Sequence, residues 1–228
     1  MSRCEQCIVR QLNAMRAMNK EELKEITHAK VTRKIKKGEV IFDEGEKLNG
    51  VFCVKNGVSK LSKLSPNGKD QIVKLAAKGE VLGHRSVIAE EHTNLSATAV
   101  NDMEVCYIPK ENIINSIRNN PGFAVEMLKR LAHDLKDADD VIVNMSQKNV
   151  KQRIAETFLY IKSNFGEDEE GFLLLTLSRE NIANIVGTAT ESAIRIISEF
   201  KKEGWIRTSG KKIGIIDEKK LSTLSSGI

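Results

Sequence analysis

Two sets of side chains in this 228-residue chain have the types and spacing that do chemistry. The first is sulfur. Cys4 and Cys7 form a CxxC pair near the N-terminus, and Cys53 and Cys106 lie in short apolar runs, four cysteines in all. Four thiols in a chain of this length make no disulfide framework. They are metal ligands, redox groups or buried core residues. Cys53, inside Val51-Phe52-Cys53-Val54, reads as a small buried hydrophobe. The second set is Glu191 and Arg195, one helical turn apart, with Thr190 beside them. Arg bonds a guanine edge in bidentate fashion, and Glu accepts from a cytosine amino group. Ser178, Arg179, Thr188, Lys211 and Lys212 are suited to phosphate oxygens. The plainer alternative is a helical hairpin on which Glu191 and Arg195 form a surface i,i+4 pair.

The elements around the second set suit a reading head. Ser178 is placed to cap a helix over Arg179–Val186, and Gly187 breaks it. Thr188-Ala189-Thr190-Glu191 has the form of a capping box opening a second helix to about residue 202. Ala183 is small where the two helices cross, and Ile182, Val186, Ala193 and Ile196 supply their shared core. Gly204 ends the second helix. Strand-like runs at 206–208 and 213–216 then flank a Ser209-Gly210-Lys211-Lys212 turn. Two short helices plus a basic hairpin are a winged helix-turn-helix candidate, whose second helix enters the major groove.

Upstream the texture differs. Runs at 31–35, 40–42, 51–54, 58–64, 71–75, 94–100 and 104–108 read as strands, split by Gly38, Gly45, Gly57, Gly68, Gly79 and Gly83. Pro66-Asn67-Gly68 has hairpin-turn composition. This spacing predicts an all-β sandwich or barrel. Asn120-Pro121 then starts a helix. Ala124, Leu128, Leu131, Leu135, Ala138, Ile142 and Met145 follow at alternating spacings of four and three. That is an a/d seam of about three heptads, which predicts pairing with a second copy; a helix packed on its own domain is the alternative. A helical run at 150–165 and an acidic loop at 166–171 follow. The expected architecture is α+β, with an arm at 1–20, a β-domain at 21–118, a dimerisation helix at 119–147 and a winged helix-turn-helix at 148–228.

Composition agrees. Lys+Arg number 36 against Asp+Glu 31, a formal charge of +5, and 40% of residues are hydrophobic. That is enough for a real core. No run approaches the ~18–20 apolar residues of a membrane span, and the N-terminal residues lack the apolar h-region of a signal peptide, so a cytoplasmic location without membrane contact is expected. The charge permits nucleic-acid binding without proving it. The basic run at 30–37 reads as a solvated strand edge, and the acidic loop at 167–170 nearly offsets the C-terminal lysines. P-loop, GxSxG and HExxH motifs are missing, so no enzyme activity is expected.

The chain resembles the CRP/FNR superfamily of bacterial transcription regulators, nearer the FNR-like branch. The resemblance rests on Lys36-Lys37-Gly38-Glu39-Val40-Ile41-Phe42, Lys78-Gly79-Glu80-Val81-Leu82-Gly83, Ser178-Arg179-Glu180-Asn181-Ile182-Ala183 and Glu191-Ser192-Ala193-Ile194-Arg195. It implies a cyclic-nucleotide-binding-type β-roll, a dimer helix and a winged helix reading an inverted repeat of double-stranded DNA. RNA polymerase is an implied partner, and the implied role is that of an activator or repressor. Glu191 and Arg195 match the pair that members use on a G·C base pair. Ile194 departs from the Ser found between them in the oxygen-sensing branch.

The resemblance also frames the sensor. The phosphate cassette of cAMP-binding members corresponds to Gly83-His84-Arg85-Ser86 and, further on, Ser96. The ribose-binding Glu is replaced by His84, and the phosphate-binding Arg by Asn94 or Leu95, so cAMP is not expected. The oxygen-sensing branch ligates a [4Fe-4S] cluster with four Cys. Cys4, Cys7 and Cys106 match three of those positions, but the third N-terminal position is Asn13, a poor iron ligand. A cluster with a non-Cys ligand and ordinary thiols on the arm both stay open. Haem, another ligand of the superfamily, is not expected, because His28, His84, His92 and His133 are scattered.

Overall fold

The computed structural model describes residues 3–65 and 68–227, so the turn expected at Pro66-Asn67 lies outside the described residues. The chain divides into two compact units, residues 1–63 with 73–137, and 64–72 with 138–228.

The first unit opens with three short 3-10 turns at Cys4–Gln6, Ile8–Leu12 and Ala14–Ala17. Helix α1 follows at Lys20–Ala29, started by a capping box in which Asn19 and Glu22 satisfy each other's backbone N–H. Eight strands succeed it: β1 (Val31–Ile35), β2 (Val40–Phe42), β3 (Gly50–Asn56), β4 (Ser59–Leu64), β5 (Asp70–Ala76), β6 (Val81–Leu82), β7 (Ser96–Ala99) and β8 (Met103–Pro109). They form two four-stranded sheets, ordered β1-β8-β3-β6 and β2-β7-β4-β5. In β3 and β8 the antiparallel register sets Phe52 opposite Tyr107 and Cys53 opposite Cys106. Side chains alternate along a strand. Phe52 therefore points to the face where its ring meets Phe42 at 5.9 Å and Tyr107 at 5.3 Å. Val51, Cys53 and Lys55 take the opposite face.

Helices α2 (His84–Ala89) and α3 (Lys110–Asn119) complete the unit, and α4 runs over Pro121–Gln147. Asn120 caps α4 as expected, its Oδ1 accepting from Phe123 N at 3.0 Å. The sequence reading had not distinguished α1, α2 and α3. Lys30 corrects the expected solvated run: it is only 4% exposed, at the point where α1 hands over to β1. The rest of that run is exposed apart from Ile35.

The second unit holds α5 (Val150–Phe165), α6 (Arg179–Val186), α7 (Thr190–Lys202), the hairpin β9 (Ile206–Ser209) and β10 (Lys212–Ile215), and α8 (Glu218–Ser226). Its core is built on Phe158, Ile182, Phe200, Ile206 and Leu221, each at most 1% exposed. Complete burial of such a side chain contributes about 1.5–3 kcal/mol.

Candidate nucleic-acid interface and thiol cluster

The turn between α6 and α7 is local chemistry. Ser178 Oγ accepts from Asn181 N at 3.0 Å and starts α6. Gly187 ends it at φ +67°, a left-handed conformation that glycine adopts without strain. The expected capping box at Thr188 is not formed. Thr188 is drawn into the turn, where its N–H donates to Ala183 O at 3.0 Å, and the residue ahead of α7 is Ala189, without a side-chain cap. Ala193, Ile196, Ile197 and Phe200 bury one face of α7.

Glu191 and Arg195 stand exposed on α7, with Thr190 half-buried. Neither Glu191 nor Arg195 holds an ion pair within the described residues, so the alternative of a surface i,i+4 pair is not what the structure contains. Lys151 instead braces the helix, bonding Glu199 at 2.6 Å and lying over the rings of Phe200 and Trp205.

The remaining basic groups differ in freedom. Lys211 is exposed on the wing tip. Lys212 pairs with Asp168 at 3.0 Å. The Phe172 N–H, followed by Lys212, holds the Asp168 carboxyl below its ordinary range. Arg179 donates to the backbone of Gly210 and Lys211 at 3.3 and 3.4 Å, so it joins the start of α6 to the wing. Burial lowers its guanidinium pKa. Two arginines escaped sequence reasoning because their partners are distant backbone carbonyls. Arg153 donates to Met145, Lys148 and Val186, tying the α6 end to α5. Arg207 bonds Glu170 O and lies 4.4 Å from the Phe172 ring, which fastens the acidic loop to the wing.

The seam residues of α4 fall on one stripe. Leu128, Leu135 and Ile142 are each 65% exposed and Ala138 is exposed, while Ala124, Leu131 and Met145 are half-buried.

In the first unit the cassette residues are engaged internally. Gly83 precedes α2 in a left-handed conformation. His84 is buried, its Nδ1 2.6 Å from Val81 O and its Nε2 3.1 Å from Asp134 Oδ2. Arg85 pairs with Glu91, Ser86 is buried, and Ser96 Oγ accepts from Glu44 N. Asp134 also meets Lys74 at 2.6 Å and Arg130 at 2.9 Å, and Arg130 reaches Glu80. Burial pushes the Asp134 carboxyl up, but the bonds from His84 and Lys74 and the charges of Lys74 and Arg130 outweigh it, leaving it well below the usual carboxylate range.

The four cysteines share one apolar cluster. Cys53 and Cys106 share a face of the β3–β8 ladder, each 7% exposed. Cys4, equally buried, and half-buried Cys7 pack into the same apolar cluster. Burial first, then the neighbouring Cys106 and Cys7, push the Cys53 thiol up to about 12, with Cys4 adding a little and a hydrogen bond from Asn13 opposing. Asn13 is committed: its Nδ2 reaches Gly79 O at 3.1 Å and Cys53 Sγ at 3.6 Å, and its Oδ1 accepts from Met15 N. It caps the third 3-10 turn rather than offering a free ligand atom. Among the described residues no three His, Cys, Asp or Glu groups converge closely enough for a metal ion.

Comparisons agree with this geometry. A family model of the cyclic nucleotide-binding domain matches residues 32–120, and one of the Crp-like helix-turn-helix domain matches 152–224. The transcriptional activator protein Anr of Pseudomonas protegens is 27% identical, over 98% of this chain and 93% of its own. The fumarate and nitrate reduction regulatory protein of Escherichia coli K12 is 26% identical, over 97% and 90%. Among solved structures, FixK2 from Bradyrhizobium japonicum superposes with a TM-score of 0.76 at 23% identity, covering 86% of this chain and 96% of its own. A CRP/FNR-family regulator from Thermus thermophilus gives 0.73 at 23%, covering 86% and 98%. These relatives are regulators, not enzymes, and no helix among the described residues is long and apolar enough to cross a membrane. With the sensor-type β-domain, the long helix and the winged helix-turn-helix in this order, the chain belongs to the CRP/FNR superfamily of DNA-binding transcription regulators.

Proposed function

We propose that the chain acts as a cytoplasmic homodimer that reads an inverted repeat, with a β-roll sensor setting its DNA affinity. The observation that carries this reading is α7. One face is buried, while the other presents Glu191 and Arg195 with no hydrogen bond or ion pair to their side chains among the described residues. In the bound state Arg195 contacts a guanine edge, Glu191 accepts from the cytosine amino group, and Thr190 lies beside them. Ser178, Thr188 and Lys211 take phosphates, while Lys212 shares its charge with Asp168 and Arg179 both holds the wing and lends positive charge. The exposed apolar stripe on α4, with Leu128, Leu135 and Ile142 at heptad intervals, supports pairing with a second copy. Such a dimer sets two reading helices about one DNA turn apart. The functional parts are the arm 1–20, the sensor 21–118, the dimer helix 119–147 and the reader 148–228. The internal bonds of His84, Arg85 and Ser96 support a sensor that takes no cyclic nucleotide. Contact with RNA polymerase follows from the superfamily.

The test is selection of bound sequences from a random DNA pool, followed by footprinting. The expected result is a two-fold symmetric site, lost with Arg195→Ala. Selection of a single asymmetric half-site, or an unchanged footprint with Arg195→Ala, overturns the reading.

A further inference from the structure

The packed face of α7 is complete without Ile194. Ala193, Ile196, Ile197 and Phe200 are buried and join the helix to the core of its unit. On the other side Glu191, Ile194, Arg195 and Ser198 are all exposed. Their spacing of i, i+3, i+4 and i+7 puts them on one stripe. Three of the four are polar. Ile194 is the exception: it is 45% exposed, and among the described residues no other large hydrophobic side chain of α6 or α7 is exposed. Ser198 is turned back on its own helix, its Oγ donating to Ile194 O at 2.9 Å. The stripe therefore offers outward one carboxylate, one guanidinium and, between them, one branched alkyl group.

A single exposed apolar side chain is ordinary on most protein surfaces. On a helix face that enters the major groove it is not, because the base edges there are chiefly donors and acceptors. The apolar group they display is the C5-methyl of thymine. An isoleucine set against adenine N6 and N7, guanine N7 and O6 or cytosine N4 buries those groups without a partner, at a cost in free energy. Set against a thymine methyl, the same side chain removes apolar surface from water and gains. Position along the helix limits which base pair is met. At a rise of about 1.5 Å per residue, Ile194 lies ~4.5 Å beyond Glu191 and ~1.5 Å short of Arg195 along the axis. Stacked base pairs are ~3.4 Å apart. The thymine therefore falls within one or two base pairs of the G·C pair taken by Glu191 and Arg195.

We propose that Ile194 is a specificity-determining residue that packs on the C5-methyl of that thymine. The inference rests on α7 reading the major groove, and it adds a requirement for thymine that Glu191 and Arg195 do not impose.

The test uses the DNA site selected by the unaltered chain. Each thymine is replaced in turn, in both half-sites, by deoxyuridine, which keeps every hydrogen-bonding group and lacks only the methyl. Replacement of one thymine beside the G·C pair should weaken binding of the unaltered chain about fourfold per half-site, the effect of one buried methyl group. Ile194→Ala should bind the thymine and deoxyuridine sites equally. Thermal unfolding checks that this surface variant folds, and the replacements on the DNA side are read on the unaltered chain in any case. An unaltered chain that ignores every deoxyuridine overturns the proposal, as does a full preference for thymine in Ile194→Ala. A parallel site with 7-deazaguanine in place of the guanine separates two ways of failing. If loss of that N7 weakens binding while no deoxyuridine does, the groove reading stands and Ile194 takes no part in it. If neither change weakens binding, α7 does not read the groove and both readings fall.

Discussion

The outer face of α7 and the cassette region of the β-domain handle polar residues in opposite ways. On α7, Glu191 and Arg195 stand in solvent without ion pairs among the described residues, on a helix whose other face is packed. In the cassette region, His84 bonds Val81 and Asp134, Arg85 pairs with Glu91, and Ser96 bonds the Glu44 N–H. A surface that reads an external polymer must keep its donors and acceptors free until the ligand arrives. A region whose polar groups already satisfy one another has its chemistry directed inward. The difference teaches that kinship with a cyclic-nucleotide domain describes the frame of the β-domain, while the bonding of its polar residues is set by this chain's own neighbours.

Four perturbations break or sharpen that contrast. The largest acts on the apolar stripe that is free in one chain. Leu135→Asp would place an unpaired charge in the proposed seam, at a cost on the order of 3–5 kcal/mol. Sedimentation equilibrium should therefore show dimer dissociation shifted by at least about 100-fold. An unchanged association constant would place the dimer contact elsewhere.

Next is the reading face. Arg195→Ala should weaken binding to the selected site by about 1–3 kcal/mol, roughly 5- to 150-fold, with little effect on random DNA. Equal losses on both would make Arg195 a phosphate contact and erase the contrast.

The inward-directed region answers to pH. Asp134 has its folded pKa lowered, so its stabilising contribution is fully present above the ordinary Asp range near pH ~4 and is lost as pH falls through the folded value. Asp134→Asn should cost on the order of 1–2 kcal/mol at pH 7, and the gap from the unaltered chain should narrow below pH ~3. Denaturant titrations at both pH values measure this. A gap that is the same at both would mean the carboxylate charge contributes nothing.

The smallest effect separates the wing lysines. Lys211→Ala should weaken binding uniformly across sequences and reduce the salt slope by about one. Lys212→Ala should do less, because Asp168 already holds that charge. Salt titrations of both variants in parallel give the comparison, and identical slopes would show that the Asp168 pair opens on DNA.

The reading head was legible because its signals are local. The Ser178 cap acts on a residue three positions away, and Gly187 acts on its own backbone. Only the Thr188 cap was misplaced, by a single residue, where a turn bond to Ala183 competed for the segment. The strands of the β-domain were found for the same reason, with differences only at the ends of β3, β4, β5, β7 and β8, except β6, which is two residues long and was missed. The sulfur contact was not legible. Cys53 reads as core and is core, 7% exposed, but the residues that face it could not be read from the sequence. That depends on strand register and on an asparagine 40 positions away.

By itself, then, the amino-acid order determined what short-range periodicity and capping can encode: a Gly-punctuated β-domain, a heptad-striped helix, and a helix-turn-helix with a basic wing. Only the tertiary structure decided which partners each candidate meets. It tied His84 and Lys74 to Asp134, Lys212 to Asp168, Asn13 to Cys53, and set Cys53 against Cys106. The physical reason is that a hydrogen bond or a thiol contact extends only about 3–4 Å, while the residues it joins are tens of positions apart. The order of residues records each partner, and only the packing of the sheets and the arm brings them within that distance.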